Sequence, residues 1–267
     1  MSAKLGIIGG GVMGEALLSR LIAQGIYLPE AVIVSEPQPQ RRDILARQYG
    51  IEVTADNPTV TSIATVLLLA IKPQVFDAVI TALPRSDSAQ VVISILAGVT
   101  LQKLEAAFPG QPVIRAMPNT PATVGVGITA IAPGHYAQPS HLQLAQRIFA
   151  AVGEVVEVPE TLLDAVTGLS GSGPGYVAVM IEALIDGGVA VGLPRAVATQ
   201  LALQTVRGTA ELIQTSGIHP AELKDRVTSP GGTTIAGISH LERAGFRSAL
   251  IEAVRAAYYR AQELGQQ

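Results

Sequence analysis

No cysteine occurs among the 267 residues. Disulfides, thiolate zinc sites and a thiol nucleophile are therefore excluded. Tryptophan is absent too, and the four histidines, His135, His141, His219 and His240, show no metal-ligand spacing. Haem, zinc and aromatic-cage readings have little to stand on, and no metal is expected. Charge is scarce: Asp, Glu, Lys and Arg make up 15% of the chain, against about 25% in an ordinary globular protein. Eighteen basic residues against 21 acidic ones give a net charge of −3, with no Lys/Arg cluster interleaved with aromatics. The electrostatic footprint of a nucleic-acid binder is missing, so no nucleic-acid partner is expected. Long apolar runs are missing as well. The longest candidate, from Gly175 onward, is interrupted by Glu182 and Asp186, so no membrane span is expected. The opening MSAKLGIIGG passes from one lysine into a strand-like run without the apolar core of a signal peptide, and a cytoplasmic location is the expectation.

What the chain has in excess is apolar surface, 48% of its residues. A chain of this size buries a proper core, and the surplus points to a large subunit interface. Through the first 115 residues one pattern repeats: a short apolar run, a turn marked by glycine or proline, and an amphipathic segment. Strands are predicted at Leu5–Ile8, Ala31–Val34, Thr65–Ile71, Val91–Ile95 and Val113–Arg115. Leu17, Leu18, Leu21 and Ile22 recur at helical spacing between the first two, with Gly25 as the stop. Near-continuous apolar strands such as VLLLAI belong to a parallel sheet covered on both faces. Short strands at Gly127–Ile131 and Glu154–Val158 flank a helix predicted over Leu142–Val152. After Pro159 the texture changes to helical stretches, at Tyr176–Val191, Arg195–Thr215, Thr233–Ala244 and Ser248–Glu263. The predicted fold is α/β: a Rossmann-type doubly wound sheet over residues 1–160, then an all-helical domain over 161–267.

Four segments carry chemistry. Gly9-Gly10-Gly11-Val12-Met13-Gly14 fits Gly-x-Gly-x-x-Gly directly after a predicted strand and opens a predicted helix. Gly9 permits the tight turn, Gly11 lets a pyrophosphate approach the backbone, and Gly14 allows close helix–sheet packing. A glycine-rich turn without function is the bland alternative. Glu36 follows the second strand, about 20 residues beyond the loop, where an acid hydrogen-bonds the ribose hydroxyls of NAD. It would repel the 2′-phosphate of NADP, yet Arg41, Arg42, Ser35 and Asn57 stand near enough in sequence to receive one, so NADPH or NADH is expected to serve. The arginines read equally well as a solvated helix face. Ile114–Pro121, with Met117 and Asn119 in a proline-stiffened loop after a strand, either borders a nicotinamide or is a structural turn. Ser229-Pro230-Gly231-Gly232-Thr233-Thr234 opens the helix carrying Ile235, Ile238 and Leu241. It is either a carboxylate cradle of backbone N–H groups and hydroxyls or an ordinary threonine cap with a glycine hinge.

These residues together resemble the pyrroline-5-carboxylate reductases, which complete proline biosynthesis. The likeness spans nearly the whole chain. It is carried by IIGGGVMG, by LLAIKP at Leu68–Pro73, by IRAMPNTPA at Ile114–Ala122 and by GLSGSGPGYV at Gly168–Val177. Above all it is carried by LKDRVTSPGGTTIAGI at Leu223–Ile238, the family's signature. The resemblance implies hydride transfer from NADPH or NADH to the C=N bond of a small imine carboxylate, 1-pyrroline-5-carboxylate, giving L-proline. It also implies a helical dimerisation domain, hence a homodimer at least, with room for a larger ring of dimers. It implies cofactor contacts at Ile8, Gly9, Gly10, Gly11, Val12 and Met13, at Asn57, at Ala70, Ile71, Lys72 and Pro73, and at Ile95, Leu96 and Ala97 beside the nicotinamide. It implies that Thr234 hydrogen-bonds the ring nitrogen, and that Ser229 with the N–H groups of Thr233 and Thr234, behind Gly232, holds the carboxylate, on a loop that serves the partner chain. Glu36 departs from the family pattern, in which a small hydroxyl or basic residue is common.

Other readings have less behind them. A β-hydroxyacid dehydrogenase would need a lysine where Val177 stands after Gly168, Gly171 and Gly173. An imine reductase of broader range would not need SPGGTT, and a nucleotide-sensing scaffold would leave that loop unexplained.

Overall fold

The computed structural model describes residues 4–84 and 90–265. Its contacts divide the chain into two compact units, residues 4–172 with 256–265, and residues 173–255. This division rests on packing, a different criterion from the change of sequence texture near Pro159.

The first unit begins with a regular alternation of strand and helix. Its elements run β1 (Leu5–Ile8), α1 (Val12–Ala23), β2 (Val32–Ser35), α2 (Pro39–Tyr49), β3 (Glu52–Thr54), α3 (Asn57–Ile63), β4 (Val66–Leu69), α4 (Phe76–Thr81), β5 (Val91–Ser94), α5 (Leu101–Ala107) and β6 (Val113–Met117). They continue with β7 (Gly127–Pro133), α6 (Pro139–Ala150), β8 (Gly153–Glu157) and α7 (Leu163–Val166). The strands form one sheet in the order β3-β2-β1-β4-β5-β6-β7-β8. From β3 to β6 every pairing is parallel, as the apolar strands predict. β7 runs antiparallel to β6 and parallel to β8. The β6–β7 connection is shorter than the dozen or so residues a parallel crossover needs, so the chain turns back beside the strand it has left.

Side chains alternate between two cores. On one face Leu5, Ile7, Val32, Val34, Leu68 and Ile93 pack with Leu17, Leu18 and Leu21 of α1 and Phe149 of α6. On the other, Ile8, Ile33, Leu67, Leu69 and Val92 pack with Val60 of α3, Phe76 of α4 and Leu104 of α5. Each such side chain, fully buried, contributes roughly 1.5–3 kcal/mol over exposure. Leu17, Leu18 and Leu21 are buried as their spacing predicts, and Gly25 takes a left-handed φ of 65° just past the end of α1.

Three features were not predicted. β3 is three residues long, with Glu52 exposed and Val53 and Thr54 half-buried. It has no apolar run to announce it and exists because β2 offers it an edge. The helix ahead of β8 begins at Pro139, because proline serves as a first helical residue and Gln138 with His141 forms a capping box. Residues Thr167–Gly171 form a single π turn after α7.

The second unit holds α8 (Gly173–Ala190), α9 (Arg195–Ser216), α10 (Pro220–Arg226), α11 (Thr233–Arg243) and the first half of α12 (Phe246–Gly265). α10 was not predicted either: it is short, begins at a proline, and is capped by the His219 ring accepting from the Ala221 N–H. α8 and α9 pack on one another, with Ala198 and Ala202 buried on α9. Larger apolar side chains stay outside: Val179 is 67% exposed, Leu201 53% and Leu212 50%. These side chains leave exposed apolar positions on α8 and α9. Among the described residues no helix is long and apolar enough to cross a membrane.

Candidate functional site

The sheet register assembles one edge. Ile8 stands opposite Ser35 on one side and Leu69 on the other, Leu69 opposite Ser94, and Ser94 opposite Arg115. Gly9, Glu36, Ala70 and Ile95, each the residue after its strand, and Met117, the last residue of β6, therefore line the carboxyl ends of five neighbouring strands. Backbone bonds extend the ladder outward: Gly9 N–H donates to the Ser35 carbonyl at 2.9 Å, Ala70 N–H to Ile8 at 2.8 Å and Ile95 N–H to Leu69 at 3.1 Å. Strand order reverses between β1 and β4, the place where open α/β sheets take their ligands.

The glycine loop is shaped by this edge. Gly9 has φ +108°, and a Cβ there would come within 2.6 Å of the Ala70 carbonyl oxygen. A side chain on Gly14 would collide with the Gly9 carbonyl, so α1 can start this close to β1 only with glycine. Gly11 differs. It is the N-cap of α1, exposed, with nothing within 4 Å of its Cβ position and no side-chain cap on the helix. Open space before an uncapped, twelve-residue helix, whose N–H groups and dipole favour an anion, fits the diphosphate of a dinucleotide.

Not every residue on this edge offers its side chain. Ile8 and Leu96 are 1% and 2% exposed and belong to the core, so only their main chain faces the edge. Val12 is exposed, and Met13 is half-buried against the core. Ala70, Ile71, Pro73, Ile95 and Ala97 are half-buried, while Lys72 is exposed and caps the turn Pro73–Val75.

Glu36 is buried, with Oε2 accepting from Gly10 N–H at 3.0 Å and Oε1 from Gln38 N–H at 3.1 Å. Ser35, also buried, donates its hydroxyl to Asn57 Oδ1 at 2.5 Å. Asn57 opens α3 behind the cap of Asp56, whose carboxylate accepts from Thr59 N–H at 2.9 Å and Thr59 Oγ1 at 2.5 Å. Those two bonds, the hydroxyl's first, hold the Asp56 carboxyl below its usual value. Neither arginine is a solvated face. Arg41 donates Nε to the Gly10 carbonyl at 2.8 Å and pairs through Nη2 with Glu15; Arg42 Nη1 donates to the carbonyls of Glu36 at 2.7 Å and Pro37 at 2.9 Å. Glu15 also accepts from the Tyr49 hydroxyl at 3.0 Å. Burial, then that bond, pushes the Tyr49 phenol up. Glu15 escaped the sequence reading, although an acid in the first turn after a glycine loop was there to be noticed.

The loop after β6 is tied down from its own side chains. Asn119 Oδ1 accepts from Ile128 N–H at 2.9 Å, and its Nδ2 donates to the Ser170 carbonyl in the π turn at 3.2 Å. Met117, half-buried, lies with its Cε 2.8 Å from the Cβ position of Gly171. Single π turns recur at functional sites, and this one overlaps the start of the GLSGSGPGYV run. Its partnership with Asn119 was not legible there.

In the helical unit, α11 begins at Thr233 with Gly232 as its N-cap and no side-chain cap bond. The ordinary threonine cap is thus not what the chain uses. Gly231 takes φ +67°, Gly232 N–H donates to the Ser229 carbonyl at 3.0 Å, and a Cβ on Gly232 would strike Ser229 Oγ. Ser229 and Thr233 are exposed and Thr234 is half-buried. The first-turn N–H groups of an eleven-residue helix and three hydroxyls thus belong to one short segment, a donor set suited to a carboxylate. Lys224 and Arg195 stand in exposed pairs with Asp225 at 2.8 Å and Asp186 at 2.5 Å.

Comparison with known proteins identifies the family and the fold. A family model described as pyrroline-5-carboxylate reductase dimerisation matches residues 160–264, and one described as NADP oxidoreductase, coenzyme F420-dependent, matches residues 4–98. A pyrroline-5-carboxylate reductase of Synechocystis sp. is 62% identical over 265 residues, 99% of either chain. The solved pyrroline-5-carboxylate reductase of Coxiella burnetii superimposes with a TM-score of 0.90 at 33% identity, over 100% of both chains. That of Plasmodium falciparum, with NADP bound, gives 0.91 at 30% identity over 99% of this chain and 98% of the other.

Proposed function

The chain belongs to the pyrroline-5-carboxylate reductase family and is an NAD(P)H-dependent oxidoreductase, and from that premise we propose how its residues divide the work. The reaction is reduction of the C=N bond of 1-pyrroline-5-carboxylate to give L-proline. We assign residues 1–160 to dinucleotide binding and 161–267 to dimerisation and substrate binding.

When bound, the reduced nicotinamide supplies the hydride. The chain's own task is to hold, orient and protonate. Gly9, Gly10, Gly11, Val12 and Met13 hold the diphosphate with their backbone; Ser35, Glu36 and Asn57 border the adenosine ribose. Ala70 to Pro73, Ile95 to Ala97, Met117 and Asn119 form the rim on the nicotinamide side, Asn119 by fixing the loop. A five-membered imine is basic enough to be partly protonated near neutral pH, so no strong side-chain acid is needed. Thr234 orients the ring nitrogen and relays its proton. Ser229 and the N–H groups of Thr233 and Thr234 bind the carboxylate, which Gly232, lacking a side chain, leaves unobstructed. On the family likeness, the carboxylate loop of one copy serves the dinucleotide edge of another. The minimal assembly is then a homodimer, its contact made by apolar positions such as Val179 and Leu201; a cytoplasmic location follows from the same family.

The observation that carries this reading is the uncapped start of α11 behind Ser229. Carboxylate recognition at a helix terminus is what a small imine acid requires, and a broader imine reductase has no use for it. Incubation with 1-pyrroline-5-carboxylate and each reduced dinucleotide should consume nicotinamide absorbance and form proline in equal amounts. Absence of proline would overturn the assignment. Sedimentation distinguishes dimer from ring, and a stable monomer at micromolar concentration would contradict both.

A further inference from the structure

Arg41, one of the two arginines close in sequence to Glu36, has its charge already taken. Its Nε is bound to the Gly10 carbonyl at 2.8 Å and its Nη2 to Glu15, with about three-quarters of both side chains buried. Glu15 is held in turn by the Tyr49 hydroxyl at 3.0 Å. On the other side of Gly10, its N–H is bound to Glu36 at 3.0 Å. The glycine loop is thus clamped at both polar atoms of one residue, by the Glu36 carboxylate and by an arginine paired with Glu15. Arg42 rests on the carbonyls of Glu36 and Pro37, and the Ser35 hydroxyl is buried on Asn57.

We propose that Glu15 is a specificity-determining residue: by latching Arg41 against the glycine loop it leaves Glu36 unopposed at the ribose, and the enzyme prefers the dinucleotide with a free adenosine 2′-hydroxyl, NADH. Glu15 acts through Arg41 and does not itself contact the dinucleotide. The physical basis is a choice between two partners for one guanidinium. A partly buried carboxylate hydrogen-bonded to it holds it more firmly than an exposed pair would. A 2′-phosphate must break that pair while lying against a second carboxylate, Glu36, which repels it. With Glu15 removed, the same guanidinium is released to the ribose edge.

The inference rests on the β1–β4 edge being a dinucleotide site, and its test uses adenosine nucleotides alone, so it does not depend on the imine reaction. Calorimetric titration of the full-length protein with AMP and with adenosine 2′,5′-bisphosphate, which differ only in the 2′-phosphate, gives a ratio of affinities. In the wild type AMP should bind tighter by on the order of tenfold. Glu15→Ala should shrink that ratio several-fold by strengthening the bisphosphate, and Glu15→Ala with Arg41→Ala should lose the gain. Glu36→Ser should move the ratio in the same direction. Should Glu15→Ala fail to fold, Glu15→Gln keeps the size and the Tyr49 bond while removing the charge, and the same shift in reduced measure is expected. A merely structural role would weaken both nucleotides together. Equal binding of the two by the wild type, an unmoved ratio in the Glu15 or Glu36 variants, or a gain that survives loss of Arg41 would each overturn the proposal. Clear nucleotide preference with no proline formed would leave the latch standing and refute the assigned reaction.

Discussion

Asn119 joins Ser170 across 51 residues of sequence, its Nδ2 donating to the Ser170 carbonyl at 3.2 Å while its Oδ1 takes the Ile128 N–H. One side chain thereby fixes the loop after β6, the start of β7 and the π turn of Thr167–Gly171. Asn119→Ala leaves a donor and an acceptor without their partner, at a cost of about 1–3 kcal/mol. Chemical denaturation should show that loss with an unchanged slope. Asn119→Asp keeps the acceptor for Ile128 but faces the Ser170 carbonyl with an oxygen, so it should also destabilise; stability equal to wild type in both variants would remove the tie from the account.

Thr234→Val keeps side-chain shape and deletes the hydroxyl at the start of α11. The backbone donors survive, so a proline-like inhibitor should bind within about tenfold of normal while turnover falls on the order of 10- to 1000-fold. Ser229→Ala should show the opposite bias, raising KM more than it lowers kcat. Normal turnover of the valine variant from about pH 6 to 9, a range bracketing imine protonation, would leave proton delivery to water.

Gly11 has extended backbone angles, φ −73° and ψ −171°, at an N-cap where aspartate is well accommodated. Gly11→Asp should therefore fold normally yet repel a diphosphate and lose dinucleotide binding. Mixed with Thr234→Val chains and allowed to exchange, it should recover on the order of a quarter of wild-type activity if each site draws on two copies of a symmetric dimer. No recovery, with mixed dimers demonstrated, would mean that each chain builds its site alone.

Asp56 caps the helix that carries Asn57, and its two bonds from Thr59 lower its folded pKa. A lowered carboxyl contributes stability above its unfolded value, about 3.9, and loses that contribution as pH falls through the folded value. Asp56→Ala should accordingly melt below wild type at neutral pH, with the gap closing as pH falls below the unfolded value of about 3.9. A gap that stays constant across that window would show that the charge is irrelevant to the cap.

Short-range pattern already determined much of this molecule. Leu5–Ile8 is a strand because a short apolar run, Leu5, Ile7 and Ile8, precedes a glycine turn, and α1 is a helix because Leu17, Leu18 and Leu21 recur on one face. The loop Gly9–Gly14 and the helix start at Thr233 were legible from local spacing too, whereas the Ala70 carbonyl that bars a side chain at Gly9 lies at the end of a neighbouring strand far along the chain. Fold class followed, since alternating strands and helices have few ways to bury both sheet faces.

The tertiary structure decided where partners lie far apart in sequence. β3 is a strand only because β2 presents an edge, and β7 reverses direction only because its connection is short. Arg41 and Arg42 looked free to meet a phosphate until the turn of the chain set Glu15, Gly10, Glu36 and Pro37 against them. Asn119 read either as bordering a nicotinamide or as part of a structural turn, and the partners of its amide were set only when β7 and the π turn arrived on either side. Periodicity reports which face a residue takes, because that depends on its own backbone; which group satisfies a buried amide or guanidinium depends on register and crossover, which arise only when the sheet closes over its helices.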